Sequence, residues 1–325
     1  MTSPIGWGIL GTGSIARKFA EGLAALPEAR LVAVGSRTAE AAAAFGELYQ
    51  VPRRHASYAA LARDPEVEAI YISTPHTLHC ENTLLCLAES KAVLCEKPFA
   101  VNSAQATQMV AASRALGVLL MEAMWTRFLP LMGWVRQQLP QIGQVRQVSA
   151  DFGFRAGYNR QSRLFAPELG GGALLDVGIY VLSFASMILG PRPVQLSSAA
   201  SLGPSGVDEQ SSFLLGYADG AQALLSCAVR TTTPQEARIM GTEGSILFDS
   251  PFWRGTTATL RTGAGETRVE FPLQGNGYNY EAAEIGRCLR EGKTESPVMP
   301  LDETLAILRL MDQARAQWGL RYPME

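Results

Sequence analysis

An apolar run, a glycine turn and a helix open the chain: Ile5-Gly6-Trp7-Gly8-Ile9-Leu10, then Gly11-Thr12-Gly13-Ser14-Ile15-Ala16, then a helical pattern from Ala16 to Leu26. No other stretch restricts the fold as much. The order strand, GxGxxA, helix is the context that a dinucleotide fingerprint requires. Gly11 makes the turn, Gly13 lets backbone N–H groups of the Thr12-Ser14-Ile15 loop approach a pyrophosphate, and Ala16 packs helix on strand. A glycine turn feeding any helix would show the same six residues. The second strand, Leu31 to Gly35, favours the binding role because it arrives at βαβ spacing.

That second strand ends in Ser36-Arg37-Thr38, where an NAD enzyme usually places an acid for the ribose 2′-hydroxyl. A carboxylate would repel a 2′-phosphate, whereas Ser36 can hydrogen-bond it and Arg37 can clamp it. NADP is therefore expected over NAD, with Glu40 close by as the opposing signal. Alternation continues through a helix at 39–49, a loop holding His55, a helix near 57–63 and the strand 69–72. A helix over about 80–89, the strand ending Val93-Leu94-Cys95-Glu96-Lys97-Pro98, a helix over 103–116 and a strand over 118–121 follow. This βα alternation predicts a doubly wound parallel sheet. Proline bars further strand pairing, so Lys97 should stand at a strand's carboxyl tip, where open α/β sheets bind ligands. Thr74, His76 and His79 follow a neighbouring tip and are expected beside a nicotinamide, with Glu96 and Lys97. His76, His79 and Cys80 lack a further ligand at metal spacing, so no metal is expected.

With 325 residues, 47% hydrophobic and 18% charged, the chain can form two domains, and its net charge of -2 does not suit a nucleic-acid partner. The five cysteines show no CxxC spacing, which fits a reducing, cytoplasmic setting. No apolar run is expected to reach membrane-spanning length, and Met1-Thr2-Ser3-Pro4 is read as leading into a strand without a basic leader. A small molecule is the expected partner.

Past Glu122 the pattern changes to strands with alternating apolar positions, over 145–154, 213–217, 221–229, 237–240, 245–249, 257–261 and 267–271. Ala218-Asp219-Gly220 reads as a hairpin turn. Helices are expected over 279–291 and over 302–318, the latter capped by Asp302 and stopped at Gly319, to cover a face of the sheet or return to the first domain. The result is a dinucleotide-binding domain at 1–122 and an α+β domain with a large open, mostly antiparallel sheet at 123–325, with the site in the cleft between them. In the second domain, Gly170-Gly171-Gly172 runs into a helix that places Asp176 and Tyr180 on one face, with Gly178 exposing backbone. A tyrosine packed in a core explains the same pattern. Trp125, Arg127 and Phe128 can wall and anchor a substrate, or equally serve packing and an ion pair.

Taken together, Gly11-x-Gly13-x-x-Ala16, Thr74-Pro75-x-x-x-His79, Glu96-Lys97-Pro98 and Asp176-x-Gly178-x-Tyr180 resemble the Gfo/Idh/MocA oxidoreductase family over the whole chain. The branch it resembles holds dihydrodiol dehydrogenases and NADP-linked pyranose dehydrogenases, through residues 121–128 and Arg163-Leu164-Phe165. That resemblance implies a Rossmann domain joined to an open-sheet domain whose outer face makes homodimers, a cis Lys97-Pro98 bond, and Arg163 at the substrate. Many members carry Asn in place of His76 and His in place of Tyr180, and the second departure moves proton transfer to a phenol.

The expected reaction is hydride transfer between the nicotinamide and a secondary alcohol of a cyclic polyol, aldose or trans-dihydrodiol. Tyr180 is the expected acid/base, although Lys97 can itself carry the proton. A phenol of pKa about 10 is a poor base, but a lysine charge at about 4 Å, at an effective dielectric of about 20, is worth about 4 kcal/mol, or about 3 pK units. Asp176 is left to hold Lys97 or orient substrate hydroxyls. Two rivals remain at this stage: a redox-assisted hydrolase or epimerase with tightly held NAD, and a non-catalytic NADP sensor.

Overall fold

The computed structural model describes residues 3–325. Met1 and Thr2, part of the stretch read as lacking a leader, lie outside the described residues. In chain order the first half contains β1 Ile5–Leu10, α1 Ser14–Leu23, β2 Ala29–Gly35, α2 Ala39–Leu48, β3 Arg53–His55 and α3 Tyr58–Ala62. It continues with β4 Ala69–Ile72, α4 His79–Ala88, β5 Ala92–Glu96, α5 Ser103–Leu116 and β6 Leu120–Ala123. The rest comprises α6 Pro130–Gln138, β7 Val145–Gly153, α7 Ile179–Leu189, β8 Gln195–Leu202, β9 Asp208–Gly216 and β10 Gln222–Ala228. After these come β11 Ala237–Gly241, β12 Gly244–Phe248, β13 Thr257–Thr262, β14 Gly265–Glu270, α8 Tyr278–Arg290 and α9 Leu301–Trp318.

The chain divides into two compact units, one of Met1–Trp125 with Gln274–Thr304 and one of Thr126–Leu273 with Leu305–Glu325. The first unit thus ends three residues beyond the expected division at 122/123, and of the two late helices, expected either to cover a face or to return to the first domain, α8 returns and packs on α1 in the first unit.

In the first unit β3-β2-β1-β4-β5-β6 form a parallel sheet. β1, β4 and β5 are buried along their whole length, which is why they read as unbroken apolar runs. The Phe19 ring of α1 stacks on Tyr71 of β4 with centroids 3.8 Å apart. β3, read from sequence as loop, is a three-residue edge strand beside β2. In the second unit β14-β13-β12-β11-β7-β10-β9-β8 make an open sheet, antiparallel except for the β7/β10 pair. β9 and β10 are joined by the expected turn at Asp219-Gly220, whereas β8 was not anticipated.

Two further expectations are corrected. Pro167–Leu189 is long and apolar enough to cross a membrane by composition, contrary to the sequence reading, but 83% of its most apolar window is buried, making it a core segment. Asp302 does not cap α9, because the helix begins at Leu301, whose N–H is taken by Glu295 Oε2 at 3.2 Å. Asp302 instead pairs with Arg114 at 2.9 Å.

Candidate functional site

The first unit carries the features of a nucleotide cradle. Gly11 leaves β1 with φ +105°, and a Cβ there would meet Ser73 Oγ at 2.8 Å, so only glycine makes this turn without strain. Gly13 precedes α1 and has open space where a Cβ would be. No side chain caps α1 and no acid lies in its first turn, so the positive end of the helix faces outward beside Thr12, Ser14 and Ile15. These features fit a dinucleotide pyrophosphate. At the tip of β2, Ser36 is buried and its N–H donates to His55 O at 3.0 Å, while Arg37 is exposed. Glu40 occupies the first turn of α2, which Thr38 caps through Ala41 N–H, a placement that suits an acid for helix reasons alone.

β4 and β5 are adjacent, so Thr74 and Lys97 do follow neighbouring strand tips. The Lys97-Pro98 bond is cis. The turn around it is held at three backbone groups, the Lys97 and Phe99 N–H and the Pro98 carbonyl. Lys97 N–H donates to Glu96 Oε2 at 3.1 Å, Phe99 N–H donates to Glu122 Oε1 at 3.2 Å, and Thr304 Oγ1 fixes the other Glu122 oxygen at 3.0 Å. His79 completes the frame. Its Nδ1 lies 2.9 Å from Pro98 O and its Nε2 lies 2.9 Å from Thr74 O, with no surface exposed. Both partners are carbonyls, and burial holds the imidazole below its ordinary pKa, so the neutral ring donates to one of them at a time. His79 therefore ties two strand tips together. Glu96 is buried, and its other oxygen accepts from Tyr71 OH. His76 is half-buried and meets His79 edge-on at 5.8 Å. Thr74 is buried, and its Oγ1 accepts from Asn82 at 3.1 Å. Trp125 is buried against Tyr278, stacked at 4.8 Å.

In the second unit, the residues expected to meet substrate separate into two groups. Arg127 is buried and donates through Nε to Ser183 Oγ at 2.8 Å and through Nη2 to Ser183 O at 2.7 Å. These bonds anchor it to α7. Phe128 is half-buried in the same short 3₁₀ turn. Asp176 and Tyr180 occupy a different setting. The segment Leu174–Gly178 is wound as a π-turn and continues into α7, a deviation that is frequent at functional sites. Asp176 is 5% exposed and accepts from Arg163 Nη1 at 2.8 Å, so its charge is paired. Gly178 is buried, and a Cβ there would sit 3.0 Å from Cys227 Sγ, so its smallness serves packing on β10 and not exposure of backbone.

Tyr180, 7% exposed, lies in an aromatic box. Phe152 meets its ring edge-on at 5.3 Å, Trp253 lies at 6.3 Å, and Phe152 and Trp253 stack on each other at 4.8 Å. Trp253 is fixed by donating Nε1–H to Gln235 at 2.9 Å and by accepting from Thr126 at its carbonyl at 2.7 Å. Phe152 was visible in sequence only as one inward residue of β7.

Models of two families match the chain: "Oxidoreductase family, NAD-binding Rossmann fold" over residues 5–124, and "GFO/IDH/MocA C-terminal domain" over residues 138–247. A trans-1,2-dihydrobenzene-1,2-diol dehydrogenase from Xenopus laevis is 38% identical over 330 residues, covering 98% of this chain and 99% of that protein. The chain belongs to the Gfo/Idh/MocA oxidoreductase family. Among solved structures, aldose-aldose oxidoreductase from Caulobacter crescentus superposes with a TM-score of 0.88 at 28% identity, covering 97% of this chain and 98% of that one. KijD10, a 3-ketoreductase from Actinomadura kijaniata solved with NADP and TDP-benzene, gives a TM-score of 0.83 at 25% identity, covering 97% and 98%. As a Gfo/Idh/MocA member the chain is an NAD(P)-dependent dehydrogenase acting on CH–OH groups.

Proposed function

We propose that this enzyme transfers hydride between NADP and a secondary alcohol of a cyclic polyol, aldose or trans-dihydrodiol, with Tyr180 and Lys97 as the acid/base pair. The observation that carries this is the setting of Tyr180: a phenol in an aromatic box of Phe152 and Trp253, one turn after an Asp176 already neutralised by Arg163. Pairing to Arg163 removes the objection that Asp176 would oppose ionisation of the phenol. A flat aromatic wall suits a dihydrodiol ring or the apolar face of a pyranose alike. The nicotinamide supplies the hydride acceptor when bound. The chain's own residues do the rest: Tyr180 takes the hydroxyl proton, Lys97 supplies the positive charge that makes the phenol usable, and Asp176 with Arg163 orients a neighbouring hydroxyl.

NADP preference rests on Ser36 and the exposed Arg37 at the β2 tip, with no acid in the usual ribose position, and on NADP in the KijD10 complex. A reducing, cytoplasmic setting is supported by five free thiols, all buried. The open face of the second unit's sheet pairs Leu224 with Leu214 across β10 and β9, both exposed, and this apolar patch is proposed as the surface that joins two copies.

The deciding experiment follows reduced cofactor by absorbance with aldoses and trans-dihydrodiols, using NADP⁺ and NAD⁺, for wild type, Tyr180→Phe and Lys97→Met. Both variants are expected to lose most of kcat. An unchanged kcat and pH profile in Tyr180→Phe, with loss in Lys97→Met, removes the phenol from the mechanism. Co-purifying NAD with no net absorbance change would favour a redox-assisted hydrolase or epimerase. Cofactor binding indifferent to Lys97→Met, with every alcohol silent, would favour a sensor.

A further inference from the structure

Beneath the glycine turn that leads to Asp176 lies a carboxylate with no place in the reaction just described. Asp208 opens β9 and has no exposed surface. Its Oδ2 accepts the Leu174 N–H at 2.7 Å and the Ser211 hydroxyl at 3.3 Å, while Oδ1 has no partner among the described residues. Leu174 begins the π-turn that carries Asp176, and Tyr180 follows within two helical turns. The start of a helix leaves its first N–H groups without internal acceptors, and here a residue 34 positions later supplies one.

The backbone around that bond is built to receive it. Gly172 has φ +119°, and a Cβ there would sit 2.3 Å from Asp208 Oδ1, so the turn approaches the carboxylate as only glycine can. Tyr322 pins the same turn from the chain's end by donating its hydroxyl to Gly171 O at 2.7 Å. The charged and titratable groups facing Asp208 are few. Cys227 of β10 shares Ser211 with it, the two sulfur and oxygen atoms lying 3.0 Å apart. Tyr322 and Arg315 face it from the C-terminal segment, and Arg315 is already engaged by Asp312 and Glu325 at 2.7 Å each.

We propose that Asp208 is the positioning residue that sets the start of the catalytic helix, fixing where Asp176 and Tyr180 stand by holding the Leu174 N–H. The inference rests on the assignment of Tyr180 to proton transfer. Asp208 does not touch substrate or cofactor, and it acts only through the turn. Burial pushes its carboxyl up to about 7, above which the bond to Leu174 becomes charge-assisted. The hold on the helix therefore tightens as pH rises through neutrality.

The test compares Asp208→Ala, Asp208→Asn and Tyr180→Phe with wild type for kcat, KM and pH dependence between 6 and 8. NADPH binding is followed by fluorescence and folding by circular dichroism. Asp208→Ala should lose about ten- to a hundred-fold in kcat, as expected for misplacement of a reacting group, while NADPH affinity stays within two-fold, an expectation scaled from roughly ångström-sized displacements. Asp208→Asn keeps an acceptor for Leu174 and should recover most of that kcat. Because the amide does not titrate, the ratio of wild-type to Asn kcat should rise severalfold from pH 6 to pH 8. A full kcat in Asp208→Ala, or a constant wild-type-to-Asn ratio across that range, overturns the proposal. Should Asp208→Ala fail to fold, the near-isosteric Asn variant decides through its pH ratio. If Tyr180→Phe retains full kcat, the catalytic reading itself falls and this inference with it. Loss in Tyr180→Phe alongside wild-type behaviour of both Asp208 variants rejects Asp208 alone.

Discussion

Replacing Glu281 by Gln should stabilise the first unit, and the gain should grow with pH. Glu281 lies on α8 with no exposed surface, and neither of its carboxyl oxygens has a hydrogen-bond partner among the described residues. Glu96 lies near enough to repel a second charge, and its own oxygens already accept from Tyr71 and from Lys97 N–H. Burial first and Glu96 second push the Glu281 carboxyl well above its ordinary pKa, so it is neutral in the folded chain. In the unfolded chain the same group ionises near pH 4.3. The folded state then holds one more proton than the unfolded state above that pH, and stability falls as pH rises, by about 1.4 kcal/mol per unit until the folded carboxyl itself ionises. Gln has the same shape and does not titrate, so it removes the cost. Urea unfolding at pH 4.5, 6.0 and 7.5 should show the smallest difference between Glu281→Gln and wild type at the lowest pH, and a gain in the variant that grows as pH rises, from the same linkage. A gain independent of pH, or a loss at pH 7.5, would mean that Glu281 is ionised and usefully paired, and would refute the argument.

Reversing the charge in Arg37→Glu should lower kcat/KM for NADP⁺ about ten- to a hundred-fold, the worth of one charge-assisted contact, while sparing NAD⁺, measured as the ratio of the two cofactors. Gly172→Ala places a methyl 2.3 Å from Asp208 Oδ1 at φ +119° and should cost about 2–3 kcal/mol in urea unfolding, together with a loss of kcat. Trp253→Ala removes the stack on Phe152 and the donor to Gln235. It should raise KM for the alcohol by about ten-fold or more and leave KM for NADP⁺ unchanged, since aromatic contacts of this kind are worth about 0.5–1.5 kcal/mol beyond their buried area.

What could be read from sequence was what is local. Gly11, Gly13 and Ala16 identify themselves because the turn, the approach and the helix packing all fall within six residues, and β1, β4 and β5 do so because strands buried on both faces need unbroken apolar runs. β8 escaped because Gln195–Leu202 has no fully buried residue and so no hydrophobic period to detect. His79 and Glu96 were placed at the right strand tips, but their partners, Thr74 O, Pro98 O and Tyr71 OH, are far from them in sequence or are backbone groups, and only the folded sheet shows these bonds.

Asp208 shows why such residues stay hidden. In sequence it is one acid after Pro204-Ser205-Gly206, where an aspartate suits any turn, and its partner Leu174 is an apolar residue whose contribution is a backbone N–H. Side-chain identity announces chemistry only when the side chains themselves react. Here Lys97 hangs from a turn fixed by Glu96, Glu122 and His79, and Tyr180 from a helix fixed by Arg127 and Asp208, each acting on backbone or on the hydroxyl of a structural serine. A buried charge costs too much to be kept without such partners. Five of these polar groups are spent on two short segments, and each holds a backbone group or a structural hydroxyl that an apolar replacement would leave unpartnered.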